Sequence, residues 1–363
     1  MRVCFLADAG AVNTRTWVDH FADVLGHEVH VVSVNRPGTL SPSVRLHRIG
    51  SDAGTASAAG KLALLASVGP IRRIVREVGP DLLIGYRVAS YGYLGARAGF
   101  HPLVATAQGQ YIVYPPRSLP KRYFARVAIR SADLLHAWAP HMARRMVELG
   151  ADPAKVFVCP RGIDLEKFAA RPDAAEDEFS VVTTRGLHHG YRVDIVVRAV
   201  AEARREVPGI SALVAGGGEA EEALRALAAG LGVGDRVRFP GHVMNGELPG
   251  YLARSAVYVS PVPSDGVSAS LLEAMACGAF PVVRDIEANR FWVEHGKNGF
   301  LVAGDDPGGY AAAIAAACRD HELRRAAAER NRRIVEERGD IRVNMKRIEA
   351  AYGELVARAS SAR

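Results

Sequence analysis

Short runs of apolar residues alternate with polar loops and helix-like segments along most of the chain. The first such unit is an apolar run at residues 3–6, a segment with helical periodicity at 16–25 that ends before Gly26, and a second apolar run at 28–34. A strand–helix–strand opening predicts a parallel, doubly wound sheet. Further strands are predicted at 82–84, 104–107, 133–136, 156–158, 179–184, 210–215, 237–239, 257–259 and 280–283, and further helices at 62–78, 119–130, 140–149, 194–206, 309–335 and 341–359.

The segment 257–294 is the most informative part of the chain. It reads VYVSPVPSDGVSASLLEAMACGAFPVVRDIEANRFWVE. The apolar start predicts a buried strand, which leads through a polar loop into a helix that starts at 268–270 and ends at Gly278. A loop that enters a helix N-terminus gathers backbone N–H groups at the positive end of the helix dipole. The segment therefore predicts an anion site.

The two carboxylates in this segment require an explanation, because their negative charge repels an anion. Asp265 lies in the loop, and Glu273 lies eight residues later in the helix. Asp265 before Gly266 fits an ordinary turn, and Glu273 three residues after Ser270 fits a capping box. These two residues alone support a structural and a functional role about equally.

Four polar loops of the second half follow predicted strands. They carry Arg185, Gly217, Val243 and Asp265. Loops beyond the carboxyl ends of parallel strands meet in one crevice, so we expect these residues to lie together. The triple glycine at 216–218 suggests phosphate contact, but neither it nor the loop after the first strand completes the Gly-x-Gly-x-x-Gly fingerprint. A nicotinamide site is therefore not expected.

Composition sets the class of protein. The chain has 363 residues, enough for two domains, with 49% hydrophobic and 23% charged residues, as in soluble globular proteins. The start of the chain shows no export signal, and no apolar run is as long as a membrane span. A formal net charge of +7 favours anionic substrates or an anionic membrane face. No nucleic-acid-binding motif is present, so nucleic acid is not an expected partner.

Cysteine and histidine patterns argue against metal and disulfide sites. The four cysteines are scattered, with no Cys-x-x-Cys pair, which suits the reducing cytoplasm. His188 and His189 are adjacent rather than one helical turn apart, and the loops carry no Asp-x-Asp motif. We therefore predict no metal site.

The segment 119–130, LPKRYFARVAIR, is basic and amphipathic. A helix with one face on the core and a solvated charged face is the favoured interpretation. The alternative is a surface that makes peripheral contact with anionic lipid at the inner face of the membrane. The sequence leaves the oligomeric state open.

The spacing from Asp265 to Glu273, followed by Ala-Met-Ala-Cys-Gly-x-x-Pro-Val-Val, resembles the signature of retaining GT-B glycosyltransferases of the family 4 type (glycosyl transferases group 1). That family usually has Glu-x7-Glu, so Asp265 is a departure, and it puts the donor sugar in doubt more than the fold. The resemblance implies an α/β fold of two Rossmann-like doubly wound domains that face each other across a cleft, with a C-terminal helix that returns to the first domain. The implied domains are 1–165 together with 340–363 for the acceptor, and 166–339 for the donor, with a polar linker at 169–178.

The resemblance also implies roles in transfer from a nucleotide-diphosphate sugar, with UDP as the expected nucleotide and no cofactor or metal. Arg185 would bind the diphosphate, Asp265 the donor sugar and Glu273 the ribose. Relatives usually have a lysine where Tyr191 stands here, and Arg192 is the other candidate for its role. The remaining residues implied for donor binding are Gly10, Gly217, Val243, Gly266, Val267, Ser268, Leu271 and Leu272.

On the acceptor side the resemblance implies Asn13 and Gln108. Asn13 has a plain alternative as a helix cap. Gln108 stands where relatives often have histidine, and an amide can hydrogen-bond a sugar hydroxyl but cannot act as a base. This suits a retaining reaction in which the leaving phosphate takes the acceptor's proton. The alternatives are a sugar-nucleotide epimerase of the same architecture and a non-catalytic sugar-nucleotide binding protein. The expected acceptor is a cell-surface or lipid-linked glycan, or a small metabolite.

Overall fold

The computed structural model describes residues 1–34, 39–49, 66–109, 112, 119–170, 179–244 and 246–361. The surface loop predicted at 50–60 and residues 171–178 of the predicted linker lie outside these ranges. The chain divides into two compact units, residues 1–161 with 345–363, and residues 162–344. The boundaries predicted from the sequence lie after residues 165 and 339.

The sheet of the first unit has seven strands, and every pair of neighbours is parallel. Its strand order is β3-β2-β1-β4-β5-β6-β7, so the order reverses at β1. The strands β4, β5 and β6 are buried along their whole length, as expected for a parallel sheet covered on both faces. The seven strands are β1 (Arg2–Leu6), β2 (Glu28–Ser33), β3 (Val44–Arg48), β4 (Leu82–Tyr86), β5 (Leu103–Ala107), β6 (Leu134–Ala137) and β7 (Val156–Val158).

The edge strand β3 was not among the predicted strands. Its sequence VRLHR has polar residues at alternate positions, and only Val44 is fully buried. A strand at the edge of a sheet lacks a neighbour on one side, so it needs fewer apolar residues than a central strand. The apolar run that revealed the other six strands of this sheet is therefore missing here.

Helices connect these strands. They are α1 (Val12–Asp19), which continues through a π-helical turn at His20–Val24, α2 (Val68–Val78), α3 (Tyr93–Ala98), which follows a π-helical turn at Arg87–Gly92, α4 (Leu119–Ser131) and α5 (Pro140–Glu148). Helix α1 begins four residues earlier than predicted, with Ala11 at the N-cap. Asn13 therefore lies in the first turn of the helix and is not its cap.

The sheet of the second unit has six strands in the order β10-β9-β8-β11-β12-β13, again with parallel neighbours. The strands are β8 (Phe179–Thr183), β9 (Ala212–Ala215), β10 (Val237–Gly241), β11 (Ser255–Ser260), β12 (Phe280–Arg284) and β13 (Phe300–Val302). The helices are α6 (Val193–Ala203), α7 (Glu221–Gly230), α8 (Leu248–Ala253), α9 (Ala269–Cys277), α10 (Glu287–Arg290), α11 (Pro307–Arg319) and α12 (His321–Gly339). Both units thus have the doubly wound architecture that the apolar pattern predicted.

The single helix predicted at 309–335 is two helices. Asp320 leaves the helical conformation and caps α12, because its side chain accepts a hydrogen bond from the N–H of Leu323 at 2.8 Å. A short polar side chain that can bond a nearby backbone N–H favours a helix N-cap over a helix interior.

The last helix, α13 (Ile341–Ser361), belongs to the first unit from residue 345 onward. The Tyr352 hydroxyl donates to Nδ1 of His136 at 2.8 Å, and Nε2–H of His136 donates to the carbonyl of Cys159 at 2.7 Å. The ring of Tyr352 also stacks on Phe21 at 6.2 Å. Burial lowers the pKa of His136 to about 4, so this histidine holds the helix as a neutral imidazole. The returning helix implied by the family resemblance is confirmed.

Within the described ranges we find no helix with the length and apolar character needed to cross a bilayer.

Candidate functional site

The second unit reverses its strand order between β8 and β11, which are neighbours in the sheet. Ligands of open α/β sheets bind at such a switch point, beyond the carboxyl ends of the strands. Arg185 follows β8 by two residues, and Asp265 follows β11 by five. The two residues are therefore brought together across 80 positions of sequence.

Arg185 is the centre of this site. Its Nη2 donates to Oδ2 of Asp265 at 3.0 Å, and its Nη1 donates to Oγ of Ser268 at 3.1 Å. The Tyr191 ring lies under the guanidinium, 4.6 Å from its central carbon. The side chain is only 11% exposed, and its Nε has no hydrogen-bond partner among the described residues. A buried N–H without an acceptor costs free energy.

The surroundings of Arg185 keep it charged. Burial opposes the charge, but Asp265, Tyr258 and Tyr191 outweigh that effect, so the pKa of Arg185 lies above its ordinary value. Tyr258, which was not among the predicted site residues, is fully buried on β11. Burial also raises the pKa of Tyr258, and the carboxylates of Asp265 and Glu273 act in the same direction. Both predicted carboxylates therefore act on the pKa of this tyrosine.

Asp265 is fixed on both sides. Its Oδ2 accepts from Arg185, and its Oδ1 accepts from the N–H of Gly266 at 2.8 Å. Each carboxylate oxygen has a second lone pair, so either can still accept a hydrogen bond from a ligand hydroxyl. The carboxylate thus bonds both the next residue of its own loop and the arginine of a distant loop.

Helix α9 begins at this site and is capped by Ser268, whose Oγ accepts from the N–H of Leu271 at 3.3 Å. The capping box predicted for Ser270 and Glu273 is wrong, because the cap lies two residues earlier. The third residue of the helix is then Leu271, and Glu273 falls too far along the helix to reach back to the cap. Gly278 ends the helix as predicted, with a left-handed backbone at φ 93°.

The helix N-terminus offers donors other than those the resemblance implied. The N–H of Leu271 bonds Oγ of Ser268, and the N–H of Leu272 bonds the carbonyl of Ser268 at 3.2 Å. Ala269 and Ser270 are the residues whose N–H groups have no acceptor within the helix by position. Ser268 Oγ accepts from both Arg185 and Leu271, so its own O–H proton is left to donate to a ligand.

The triple glycine packs closely against the backbone of the loop that carries Arg185. A Cβ on Gly216 would lie 2.3 Å from the carbonyl oxygen of Arg185, and a Cβ on Gly218 would lie 2.4 Å from that of Leu187. The N–H of Leu187 donates to the carbonyl of Gly217 at 3.0 Å. Gly216 and Gly218 are therefore required for close backbone packing, which explains them without a phosphate.

Gly217 lies next to the loop that follows β10 and carries Val243. A Cβ at this position would be 3.6 Å from Cβ of His242, the residue before Val243. Val243 is half-buried against the apolar cluster that also contains Leu271. The four loops that carry Arg185, Gly217, Val243 and Asp265 thus converge on one side of the sheet.

Arg192 is engaged elsewhere. Its guanidinium bonds Asp194 at 3.1 Å and also pairs with Asp305. Tyr191 instead stacks on Arg185, so it is the tyrosine that reaches the site. His188, in the same loop, is half exposed and pairs with Glu219. Val267 completes the loop before Ser268 and packs partly buried against the core.

The remaining predicted residues lie in the first unit, at the strand ends around β1 and β5. Gly10 is exposed, and its N–H donates to Oδ1 of Asp8 at 3.1 Å. The carbonyl of Asn13 accepts from the Tyr86 hydroxyl at 3.1 Å. Nε2 of Gln108 donates to Oγ1 of Thr106 at 2.8 Å.

The part of the chain that the structure describes contains no group of three or more His, Cys, Asp or Glu side chains arranged to hold a metal ion.

Two family models match the chain, one in each unit. The Glycosyltransferase Family 4 model matches residues 11–167, and the Glycosyl transferases group 1 model matches residues 164–334. Together they account for residues 11–334, with the site described above inside the second. The chain belongs to the group 1 glycosyltransferases, with a family 4 type N-terminal part.

Curated relatives agree with this assignment. A D-inositol 3-phosphate glycosyltransferase of Geodermatophilus obscurus is 36% identical over 225 residues, which are 56% of this chain and 49% of the relative. A GDP-mannose-dependent alpha-(1-6)-phosphatidylinositol monomannoside mannosyltransferase of Mycolicibacterium smegmatis is 28% identical over 235 residues, or 60% of this chain and 61% of the relative. The chain thus spans about half to three fifths of the length of these relatives.

Solved structures share the fold. A sucrose-phosphate synthase from Thermosynechococcus elongatus superposes with a TM-score of 0.84 over 98% of this chain and 99% of that one, at 19% identity. Anabaena Alr3699/HepE, solved in complex with UDP and glucose, superposes with a TM-score of 0.80 over 98% of this chain and 100% of that one, at 20% identity. These neighbours establish the two-domain GT-B fold.

Proposed function

We propose that this chain transfers a hexosyl or N-acetylhexosaminyl group from a nucleotide-diphosphate sugar to an acceptor hydroxyl, with retention of configuration and without a metal ion. The observation that carries the proposal is Arg185, a buried cation that the ion pair with Asp265 fixes at the switch point of the second sheet. Relatives named as glycosyltransferases and a GT-B neighbour solved with UDP support the donor class. We take UDP as the first nucleotide to test.

Departure of the nucleoside diphosphate is the step that the site serves best. The bond between the sugar's anomeric carbon and the phosphate oxygen breaks, and negative charge grows on that oxygen. Arg185, the Ser268 hydroxyl and the N–H groups of Ala269 and Ser270 stabilise this charge. Such donors are fixed before the reaction starts, so they stabilise the transition state without a cost of reorientation.

The carboxylates serve the uncharged parts of the donor. We assign the donor-sugar hydroxyls to Asp265 and the ribose hydroxyls to Glu273, while backbone groups near Val243 hold the base. Asp265 keeps a lone pair on each oxygen beside its bonds to Arg185 and Gly266. A hydroxyl bound there would lie beside the guanidinium that binds the phosphate, so sugar and leaving group are held by one ion pair.

Retention follows if the acceptor hydroxyl attacks the face from which the diphosphate leaves. A new bond forms between the acceptor oxygen and the anomeric carbon, and the acceptor's proton passes to the departing phosphate oxygen. The amide of Gln108 cannot take a proton, which suits this route. The proposed acceptor is a glycan, lipid-linked or at the cell surface, or a small metabolite.

The test is nucleotide release by the purified protein with UDP-, GDP-, ADP- and TDP-sugars, with and without EDTA. One donor should be hydrolysed slowly in the absence of acceptor, with EDTA having no effect. NMR of the first sugar released or transferred should show the anomeric configuration of the donor.

Three results would overturn parts of the proposal. An inverted anomer would exclude retention, and loss of turnover in EDTA would exclude the metal-free reaction. Conversion of the donor into an epimerised nucleotide sugar would assign the chain to the epimerase class instead.

A further inference from the structure

Three helices of the first unit concentrate positive charge that the proposed transfer reaction does not use. Helices α2, α3 and α4 contain eight basic residues and one acidic residue, a net charge of +7 that equals the formal net charge of the whole chain. All eight basic residues are exposed. They are Arg72, Arg73, Arg76, Arg97, Lys121, Arg122, Arg126 and Arg130.

The three helices form one layer on the same face of the sheet. Each contributes side chains to one apolar cluster that also contains Leu83 of β4 and Leu103 of β5. The rings of Tyr93 on α3 and Phe124 on α4 are 4.4 Å apart. On α2, Nη2 of Arg72 donates to the carbonyl of Arg97 on α3 at 2.8 Å. The cations therefore lie together on the solvent side of this layer, which we call the basic face.

Within these three helices, little negative charge offsets the basic face. The one acidic residue on these helices is Glu77, which approaches Arg73 only at 3.9 Å, with both side chains more than two-thirds exposed. An exposed pair of this kind contributes little. Arg72 is bonded to two backbone carbonyls, of Ala98 and Arg97, and keeps its charge.

Helix α4 adds exposed apolar groups to this charge. Its inner side packs on the core, as the favoured sequence interpretation held, through Ala125, Ala128 and Ile129. Its outer side is different: Arg122, Arg126 and Arg130 follow one another at intervals of four residues. On that side Leu119 is 75% exposed and Tyr123 is 59% exposed. A helix that presents cations together with apolar and tyrosine side chains is suited to a lipid headgroup layer.

We propose that the basic face docks this protein on an anionic lipid bilayer. Lipid phosphates attract the arginines, and the headgroup region accepts the apolar parts of Leu119 and Tyr123, which gain from leaving water. The phosphate backbone of a nucleic acid would satisfy the arginines but would leave these two side chains in water. Charge and exposed apolar surface together therefore favour the bilayer. The docking requires neither donor nor acceptor and is independent of the transfer reaction.

The experiment is cosedimentation of the full chain with vesicles of phosphatidylcholine alone and of phosphatidylcholine with phosphatidylglycerol. We expect binding only to the anionic vesicles, with strong loss at high salt because the charges are screened. The triple variant Arg122→Gln/Arg126→Gln/Arg130→Gln should bind on the order of 100-fold more weakly, at about 1 kcal/mol for each basic residue near an anionic surface.

A matched control removes three exposed arginines from the second unit, Arg198→Gln/Arg205→Gln/Arg325→Gln. It has the same change in net charge and should bind the vesicles like the unmodified protein. Absence of binding to anionic vesicles, or equal losses in the two triple variants, would overturn the proposal. Tighter binding to a labelled DNA duplex than to the vesicles would overturn it in favour of nucleic acid. Circular dichroism of both variants checks that each is folded.

Discussion

Replacement of Gly216 by alanine should displace the loop that carries Arg185. The new Cβ would lie 2.3 Å from the carbonyl oxygen of Arg185 and 3.2 Å from its carbonyl carbon. Both are backbone atoms of a loop that is bonded at Leu187 to the carbonyl of Gly217. No flexible side chain can move aside to relieve the contact, so the backbone itself must shift.

The size of the effect follows from this distance. A carbon and a carbonyl oxygen that are not bonded rest more than 3 Å apart, so the carbonyl must retreat by roughly 1 Å. Overpacking of this kind costs about 1–3 kcal/mol of unfolding free energy. A shift of about 1 Å in a positioning group can also lower the rate of a reaction by about 100-fold. We therefore expect Gly216→Ala to lower donor affinity and turnover by up to about 100-fold.

The matched control is Gly217→Ala in the next position. A Cβ on Gly217 would meet nothing closer than Cβ of His242 at 3.6 Å, an ordinary contact. Urea denaturation would compare the stabilities of Gly216→Ala and Gly217→Ala, and calorimetric titration with UDP-glucose, or with the donor identified by nucleotide release, would compare their affinities. If Gly216→Ala is as stable as Gly217→Ala and binds the donor equally well, the close packing assigned to the triple glycine is wrong.

Three further predictions concern the ring under the guanidinium, the C-terminal helix and the start of the second unit. Tyr191→Ala should weaken donor binding by about 0.5–2 kcal/mol, through loss of the cation–π contact, whereas Tyr191→Phe should bind like the unmodified protein in the same titration. The free energy of unfolding should lose a contribution of about 3 kcal/mol from His136 as the pH is lowered from about 6.5 to about 4, because His136 takes up a proton on unfolding in this window; urea denaturation across the range should show a pH dependence that is smaller by about that amount in His136→Asn. Gly162→Ala should cost about 2–4 kcal/mol, because Gly162 has φ 86° and its Cβ would lie 2.3 Å from the carbonyl oxygen of Gly339; Gly190→Ala, with open space around it, should leave the thermal midpoint nearly unchanged.

The parts of the fold and site that sequence predicted well are those with local causes. Helix α9 was predicted within a residue or two at both ends, because Ser268 and Gly278 cap it through bonds to nearby residues. The central strands were found because a parallel sheet buried on both faces needs continuous apolar runs. The edge strand β3 and the division of residues 307–339 at Asp320 were missed, since neither leaves a strong periodic signal.

The parts that sequence could not provide depend on contacts between distant residues. Nothing near Arg185 in the chain indicates that it pairs with Asp265 and stacks on Tyr191 at once. The triple glycine suggested a phosphate loop, whereas two of its members give room to the backbone of Arg185 and Leu187. The basic face is a similar case, because α4 alone shows four cations and the structure adds those of α2 and α3.

The most direct measurement for the proposed function compares donor binding by Arg185→Gln and Arg192→Gln. Both variants lose one arginine from the same loop, but Arg185 faces the switch point, while Arg192 is bonded to Asp194 and Asp305. Loss of a buried, hydrogen-bonded charge costs about 2–5 kcal/mol. We therefore expect Arg185→Gln to bind the active nucleotide sugar about 100-fold more weakly or worse, as measured by calorimetric titration. Arg192→Gln should change this affinity only a few-fold. Equal losses in the two variants, or a larger loss in Arg192→Gln, would contradict the placement of the diphosphate at Arg185.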